Sequence, residues 1–211
     1  MATNLIEYWD RYASGVDADE EPFAWTQWGA GHGPGVELLG DPATSLELGC
    51  GRGVEVAALA RAGVAAEGID LSPVQAEQAR ARCEPVGGQV HQGDVLEFLR
   101  GTDRTWDALY SAWGAVWFSD PRELLPLAHE RLSLGGRLVF AHAPAVTGAY
   151  GVQGMYANGF RGRAVWVHRW AYEPHVWEEM LHDAGFARAR VWIEPAPEAD
   201  HVGTLIGVAS R

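Results

Sequence analysis

Glu47-Leu48-Gly49-Cys50-Gly51-Arg52-Gly53 is the stretch that decides the fold. A strand-like run, Thr44 to Leu48, enters it, and a helix-period segment, Val54 to Arg61, leaves it and is ended by Gly63. Three alternate glycines let the backbone turn sharply and let a ligand approach the main chain with no Cβ in the way. An ordinary strand-to-helix turn can carry the same pattern, so the flanking chain must decide. Val54 stands where a dinucleotide-binding G-x-G-x-x-G would need its third glycine. A phosphate-binding P-loop needs Gly-Lys-Ser/Thr, and the chain contains no lysine.

Working outward, short apolar runs alternate with helical segments. Ala65 to Asp70 reads as a second strand, and Ser72-Pro73 supplies the N-cap and first position of a helix to about Cys83. Gln89 to His91 and Trp106 to Ser111 are the third and fourth strands. Pro121 to Leu132 is helical, with Pro126 expected to kink or restart it, and Gly135-Gly136 turns the chain into a fifth strand, Arg137 to Ala141. A helix from Pro174 to Ala184, closed by Gly185, precedes strands at Ala189 to Glu194 and Thr204 to Ala209. This alternation predicts an α/β fold, a doubly wound, largely parallel sheet covered by helices. Residues 143–171 break the pattern. They are rich in glycine and aromatic residues, hold a possible strand at Ala164 to Tyr172, and read as an insertion over the sheet edge.

Two acids follow the loop at informative places. Asp70 closes the second strand 17 positions after Gly53, where its carboxylate can accept from both hydroxyls of a ribose. Helix capping is its alternative role, but Ser72 already fills that position. Asp94, in Gln92-Gly93-Asp94-Val95, follows the third strand and reaches the same crevice. There it can accept from an adenine amino group while Val95 and Leu96 lie along the ring. Loop and acids together converge on one adenosine.

These segments resemble the successive cofactor motifs of class I S-adenosylmethionine-dependent methyltransferases: the glycine loop, Gly68-Ile69-Asp70-Leu71-Ser72, and Gly93-Asp94-Val95. Trp106-Asp107-Ala108-Leu109-Tyr110-Ser111 and Leu132 to Phe140 are similar to that family's fourth and fifth strands, and the likeness runs from about residue 43 to 142. It implies a Rossmann-like sheet of seven strands in the order 3-2-1-4-5-7-6, with the last antiparallel, and S-adenosyl-L-methionine as cofactor. It implies cofactor contacts from Glu47, Gly49, Cys50, Gly51, Arg52, Gly53, Asp70, Leu71, Asp94, Val95 and Ser111. Arg52 departs from the small or hydroxyl residue usual in the loop, and pairs with either the cofactor carboxylate or Glu55. Glu7-Tyr8-Trp9-Asp10-Arg11-Tyr12 resembles the aromatic helix that folds over the cofactor in relatives, which places Tyr8 or Tyr12 near its carboxylate.

Composition bounds the partners. The chain has 211 residues, 47% of them hydrophobic and 21% charged, which suits one domain, with residues 1–40 as an N-terminal lid segment and 143–171 as the acceptor-side insertion. A net charge of −12, and arginines scattered instead of striped, disfavour nucleic acid. So does the fourth-strand tip, Tyr110-Ser111-Ala112-Trp113, which lacks the Asn/Asp-Pro-Pro-Tyr/Phe signature of amino-methylating DNA enzymes. All 16 basic residues are Arg, which excludes lysine nucleophiles and Schiff bases. Cys50 and Cys83 have neither zinc-site nor redox-pair spacing, so no metal is expected. No apolar run is long enough to span a bilayer and no secretory leader is evident, so the expected setting is the cytoplasm.

Ten tryptophans are unevenly placed, and none lies between residues 29 and 105. Trp106, Trp177 and Trp192 read as core. Trp25, Trp28, Trp113, Trp117, Trp166 and Trp170 fall in segments that form the lid and acceptor pocket of the resembled family, where rings exclude water and hold an apolar acceptor. His142, at the end of the fifth strand, and His168, in the inserted strand, are the candidate general bases; His32 lies in a glycine-rich loop. The expected reaction is methyl transfer to an O or N atom of a small, partly aromatic metabolite. A small-peptide acceptor and a catalytically silent cofactor-binding relative, serving as sensor or accessory subunit, are the alternatives. A nicotinamide oxidoreductase is disfavoured by the loop spacing.

Overall fold

The computed structural model describes residues 2–13, 23–29, 31–156 and 166–211. Its main sheet contains β1 (Thr44–Leu48), β2 (Ala65–Asp70), β3 (Gln89–Gln92), β4 (Trp106–Ala112) and β5 (Leu132–His142). A separate antiparallel pair, β6 (Gly151–Tyr156) and β7 (Trp166–Ala171), comes next, and β8 (Arg188–Glu194) and β9 (Thr204–Ser210) return to the main sheet. The order is β3-β2-β1-β4-β5-β9-β8. The first five strands are parallel and β9 is antiparallel to both neighbours. Counted within this sheet alone, that is the 3-2-1-4-5-7-6 Rossmann-like order the sequence implies. Strand order reverses between β1 and β4, so the crevice at their carboxyl ends is where such a sheet binds ligands.

Helices α2 (Val54–Arg61), α3 (Pro73–Cys83), α4 (Val95–Arg100), α5 (Ala115–Phe118), α6 (Pro121–Glu130) and α7 (Pro174–Asp183) connect the strands. Three begin on side-chain caps that satisfy otherwise orphaned amides. Ser72 Oγ accepts from Gln75 N (3.1 Å), Asp94 Oδ1 from Leu96 N (2.8 Å) and Asp120 Oδ1 from Arg122 N (2.9 Å). Strand alternation separates two cores. Leu46, Leu48, Leu109, Leu138 and Phe140 face α6 and α7, whereas Tyr110, Val139 and Ile206 face Val56, Ala57 and Trp25. Trp106 and Trp177 are fully buried, and Trp192 is packed against the second core.

Three expectations need correction. Helix α6 runs through Pro126 without a break; the donor that proline removes would serve the carbonyl of Arg122, in the exposed first turn. β5 begins at Leu132, paired with Trp106, because the strand absorbs Gly135-Gly136 at a register shift instead of starting after it. Residues 143–171 contain a two-stranded ribbon, not one strand; Ala164 and Val165 lie outside the described residues.

Helix α1 (Ala2–Ala13) completes the frame. On one side Ser72 Oγ, at the tip of β2, donates to Asp10 Oδ1. On the other, Trp9 packs edge-on against Phe118 of α5, with ring centres 4.9 Å apart. The helix therefore bridges the carboxyl edge of the sheet.

Candidate active site

A cleft of about 850 Å³ opens beneath α1 at the tips of β1, β2 and β4, and β7 forms its far wall. That volume falls in the range of small-ligand sites. The three loop glycines serve it for different reasons. All have positive φ, yet a Cβ on Gly49 would lie 2.6 Å from Ala115 N, and one on Gly53 would lie 2.7 Å from Cys83 Sγ. Those two glycines seat the loop against α5 and α3. Gly51, with φ +52°, meets only Gln75 Oε1 at 3.4 Å and lines the cleft. Its missing side chain leaves space for a ligand.

Asp70 holds this loop in place. Its buried carboxylate accepts from Gly51 N (2.8 Å) through Oδ2 and from Ser72 N (2.9 Å) through Oδ1. Burial raises its pKa to about 6, against the lowering effect of the two amides, and Asp10 raises it further. Glu47, at the floor, is pushed well above the usual carboxylate range by burial and then by Glu55. Its Oε2 is buried without a hydrogen-bond partner. A cationic group would satisfy that oxygen, so the donor set fits the ammonium of an amino-acid moiety. Cys50, Arg52, Leu71, Asp94, Val95, Leu96, Tyr8 and Tyr12 line the same cleft.

The opposite end is aromatic. Trp113, Trp117, Trp166 and Trp170 all line it, with His168. Trp113 has φ +57°, a conformation costly for a residue with a Cβ. It is held there by its amide, which donates to Ala141 O (2.8 Å), and by its indole N–H, which donates to Trp25 O (2.9 Å). Trp117 stacks in parallel on His142, with centroids 5.6 Å apart, and carries the Arg169 guanidinium 5.5 Å from its ring centre.

Five expected residues fall elsewhere. Ser111 is spent internally: its hydroxyl donates to Leu48 O (3.0 Å) and accepts from Val116 N (3.1 Å), tying β4 to β1 and to the start of α5. Trp25 is fully buried beneath the sheet with its indole N–H on Gly35 O (2.8 Å), so it supports Trp113 instead of facing an acceptor. Trp28 is part-buried outside the cleft lining. His142 lies behind Trp117, where burial depresses its pKa to about 4 and leaves Nε2 without a partner. Gly53 shapes the loop from outside the cleft. Trp9, in the expected lid segment, lines the cleft, and Gln75, Phe118 and Arg169 line it without having been singled out. A period-of-two reading of β7 would have found Arg169, on the same face as Val167 and Ala171.

Residues 46–136 match the model of a methyltransferase domain family. Among curated proteins nothing matches the sequence significantly. Several solved structures share the fold. One is the 1,6-didemethyltoxoflavin N1-methyltransferase of Burkholderia thailandensis, with TM-score 0.61 and 22% identity over 82% of this chain and 72% of that one. Another is an S-adenosylmethionine-dependent methyltransferase from Mesorhizobium loti, with TM-score 0.60 and 21% identity over 82% and 92%. A third is CalS10, an amino pentose methyltransferase from Micromonospora echinaspora, with TM-score 0.54 and 20% identity over 82% and 85%. Sheet order and glycine loop define a Rossmann-like fold, and residues 46–136 of it match a methyltransferase domain. The solved structures share the fold over about four-fifths of this chain. Among the described residues no helix is long and apolar enough to cross a membrane.

Proposed function

We propose that this protein transfers a methyl group from S-adenosylmethionine to an oxygen or nitrogen atom of a small, partly aromatic metabolite, working as a single domain over residues 1–211. The observation that carries the reading is that one cleft joins the glycine loop and strand-tip acids to a wall of tryptophans. Two similar structures are named for small acceptors, a didemethyltoxoflavin and an amino pentose.

The cofactor supplies an already activated methyl group on a sulfonium, so the protein's task is alignment and exclusion of water. Asp70 takes the ribose hydroxyls on the lone pairs that Gly51 N and Ser72 N leave free. Asp94 takes the adenine amino group, with Leu71, Val95 and Leu96 against the ring. Glu47 receives the ammonium, while Arg52, Tyr8 and Tyr12 face the carboxylate. Trp113, Trp117, Trp166 and Trp170 hold the acceptor. His168 is the general base for an acceptor that must lose a proton. Segments 1–40 and 143–171 act as lid and acceptor wall.

Mass spectrometry of a metabolite panel incubated with enzyme and S-adenosylmethionine is expected to show a gain of one methyl group. S-Adenosylhomocysteine is expected to shift tryptophan emission and protect the N-terminus from proteolysis. Binding of S-adenosylhomocysteine with no turnover across the panel favours the silent relative instead. Unchanged emission and cleavage on binding would refute the lid.

A further inference from the structure

We infer that the acceptor end of the cleft is built for a planar aromatic ring bearing one carboxylate, recognised by Arg169; this rests on the methyl-transfer reading above. Strand β7 alternates, with Val167 and Ala171 buried, so Arg169 shares their inward face. Its cross-strand partner is Gln153, whose Oε1 accepts from Arg169 Nε at 3.0 Å. The guanidinium also lies 5.5 Å from the ring centre of Trp117. These contacts fix the plane of the group, but both partners are neutral.

Four acids that line the cleft are engaged elsewhere. Asp70 holds two amides, Asp94 and Asp120 cap α4 and α6, and Glu123 pairs with Arg100 at 2.6 Å. Among the described residues Arg169 has no carboxylate within ion-pair distance. With Nε used by Gln153, the Nη1 and Nη2 end remains, and its paired N–H groups match the two oxygens of a carboxylate. Trp117 supplies the ring surface beside it. The net charge of −12 opposes a dianion more than a monoanion, which selects a carboxylate over a phosphate monoester.

The test titrates 4-hydroxybenzoate, 4-hydroxybenzamide and phenyl phosphate into protein saturated with S-adenosylhomocysteine, followed by ligand-observed NMR. The acid is expected to bind at least about tenfold more tightly than the amide. Arg169→Gln should erase that preference and Arg169→Lys should keep part of it, with S-adenosylhomocysteine affinity unchanged in both. Should Arg169→Gln fail to fold, Gln153→Ala is expected to shrink the preference by loosening the guanidinium. The inference is overturned by equal binding of acid and amide, by a preference that survives Arg169→Gln, by tighter binding of phenyl phosphate, or by binding of none of the three. A protein that fails to bind S-adenosylhomocysteine at all would instead overturn the methyl-transfer reading.

Discussion

The two ends of the cleft are built from different materials. The β1–β3 end is made of backbone and short acids: a glycine loop, Asp70 on the amides of Gly51 and Ser72, and Asp94 at a helix start. The β4–β7 end is made of large rings and one guanidinium, contributed by segments from Trp113 to Trp170. At the first end function follows from local conformation, so its residues stand at fixed offsets from strand tips. At the second it follows from which side chains meet in space. Cofactor and acceptor functions are therefore expected to respond to different substitutions.

The largest effect is expected at Gly51. Gly51→Val places a branched side chain at φ +52° on the face that lines the cleft, so S-adenosylhomocysteine affinity should fall more than about a hundredfold while circular dichroism stays native. Gly49→Val should instead destabilise the protein, because its Cβ would meet the backbone of Ala115. Native stability in Gly49→Val would show that the loop can move off α5, and that the three glycines are interchangeable after all.

Next comes Asp70. Removing this acceptor in Asp70→Ala should weaken S-adenosylhomocysteine binding by about 1.5–3 kcal/mol in calorimetry. With a pKa near 6 in the free protein, Asp70 protonates as pH falls, so wild-type affinity should drop about tenfold between pH 7 and pH 5, with proton release on binding. For stability the sign is the reverse. A carboxyl whose folded pKa is raised favours folding most below its unfolded pKa near 3.8, and that contribution is lost as pH rises through about 6. Asp70→Asn should abolish the pH dependence of binding. A flat profile in the wild type would detach the ribose from this acid.

At the aromatic end the expected pattern inverts. Trp170→Ala should leave S-adenosylhomocysteine affinity within about twofold and lower kcat/KM for a methylated acceptor by roughly 2–10-fold, the scale of one aromatic contact. Equal losses in cofactor and acceptor binding would mean that the two ends are one site.

The same contrast explains what the sequence made legible. Order of strands, loop, Asp70, Asp94 and four of the six acceptor-side tryptophans now lining the cleft could be read because each follows from chain-local chemistry or from segment placement. Ser111 could not be resolved: a strand-tip serine reads alike whether its hydroxyl faces a ligand or, as here, Leu48 O and Val116 N. Trp25 could not either, since its burial depends on Tyr110, whose ring centre lies 6.2 Å away and 85 positions later in the chain. One-turn helix α5 is too short to show a period, yet it positions Phe118 and Trp117. Arg169 gains meaning only from Gln153 and Trp117.

The smallest effect on activity is expected at His142, which tests whether the base belongs to the cleft or to the core behind it. Its ring stacks on Trp117, packs against Phe140 and Trp177, and donates from Nδ1 to Ala143 O at 2.8 Å. His142→Phe keeps the ring contacts, loses that one hydrogen bond and removes a buried unpartnered Nε2. The change in stability at pH 7 should stay within about 1 kcal/mol, because the two polar terms offset each other. Acidification should separate the proteins. A histidine whose folded pKa is about 4 contributes its full stability above the unfolded value near 6.5 and loses it as pH falls from there to about 4. The wild type should therefore lose roughly 3 kcal/mol across that window that the variant retains, read as urea midpoints that diverge as pH falls. Methyl transfer should persist in His142→Phe and fail in His168→Gln for an acceptor that must shed a proton. If His142→Phe is the inactive one, the proton leaves through the layer behind Trp117, and that ring must swing aside during turnover.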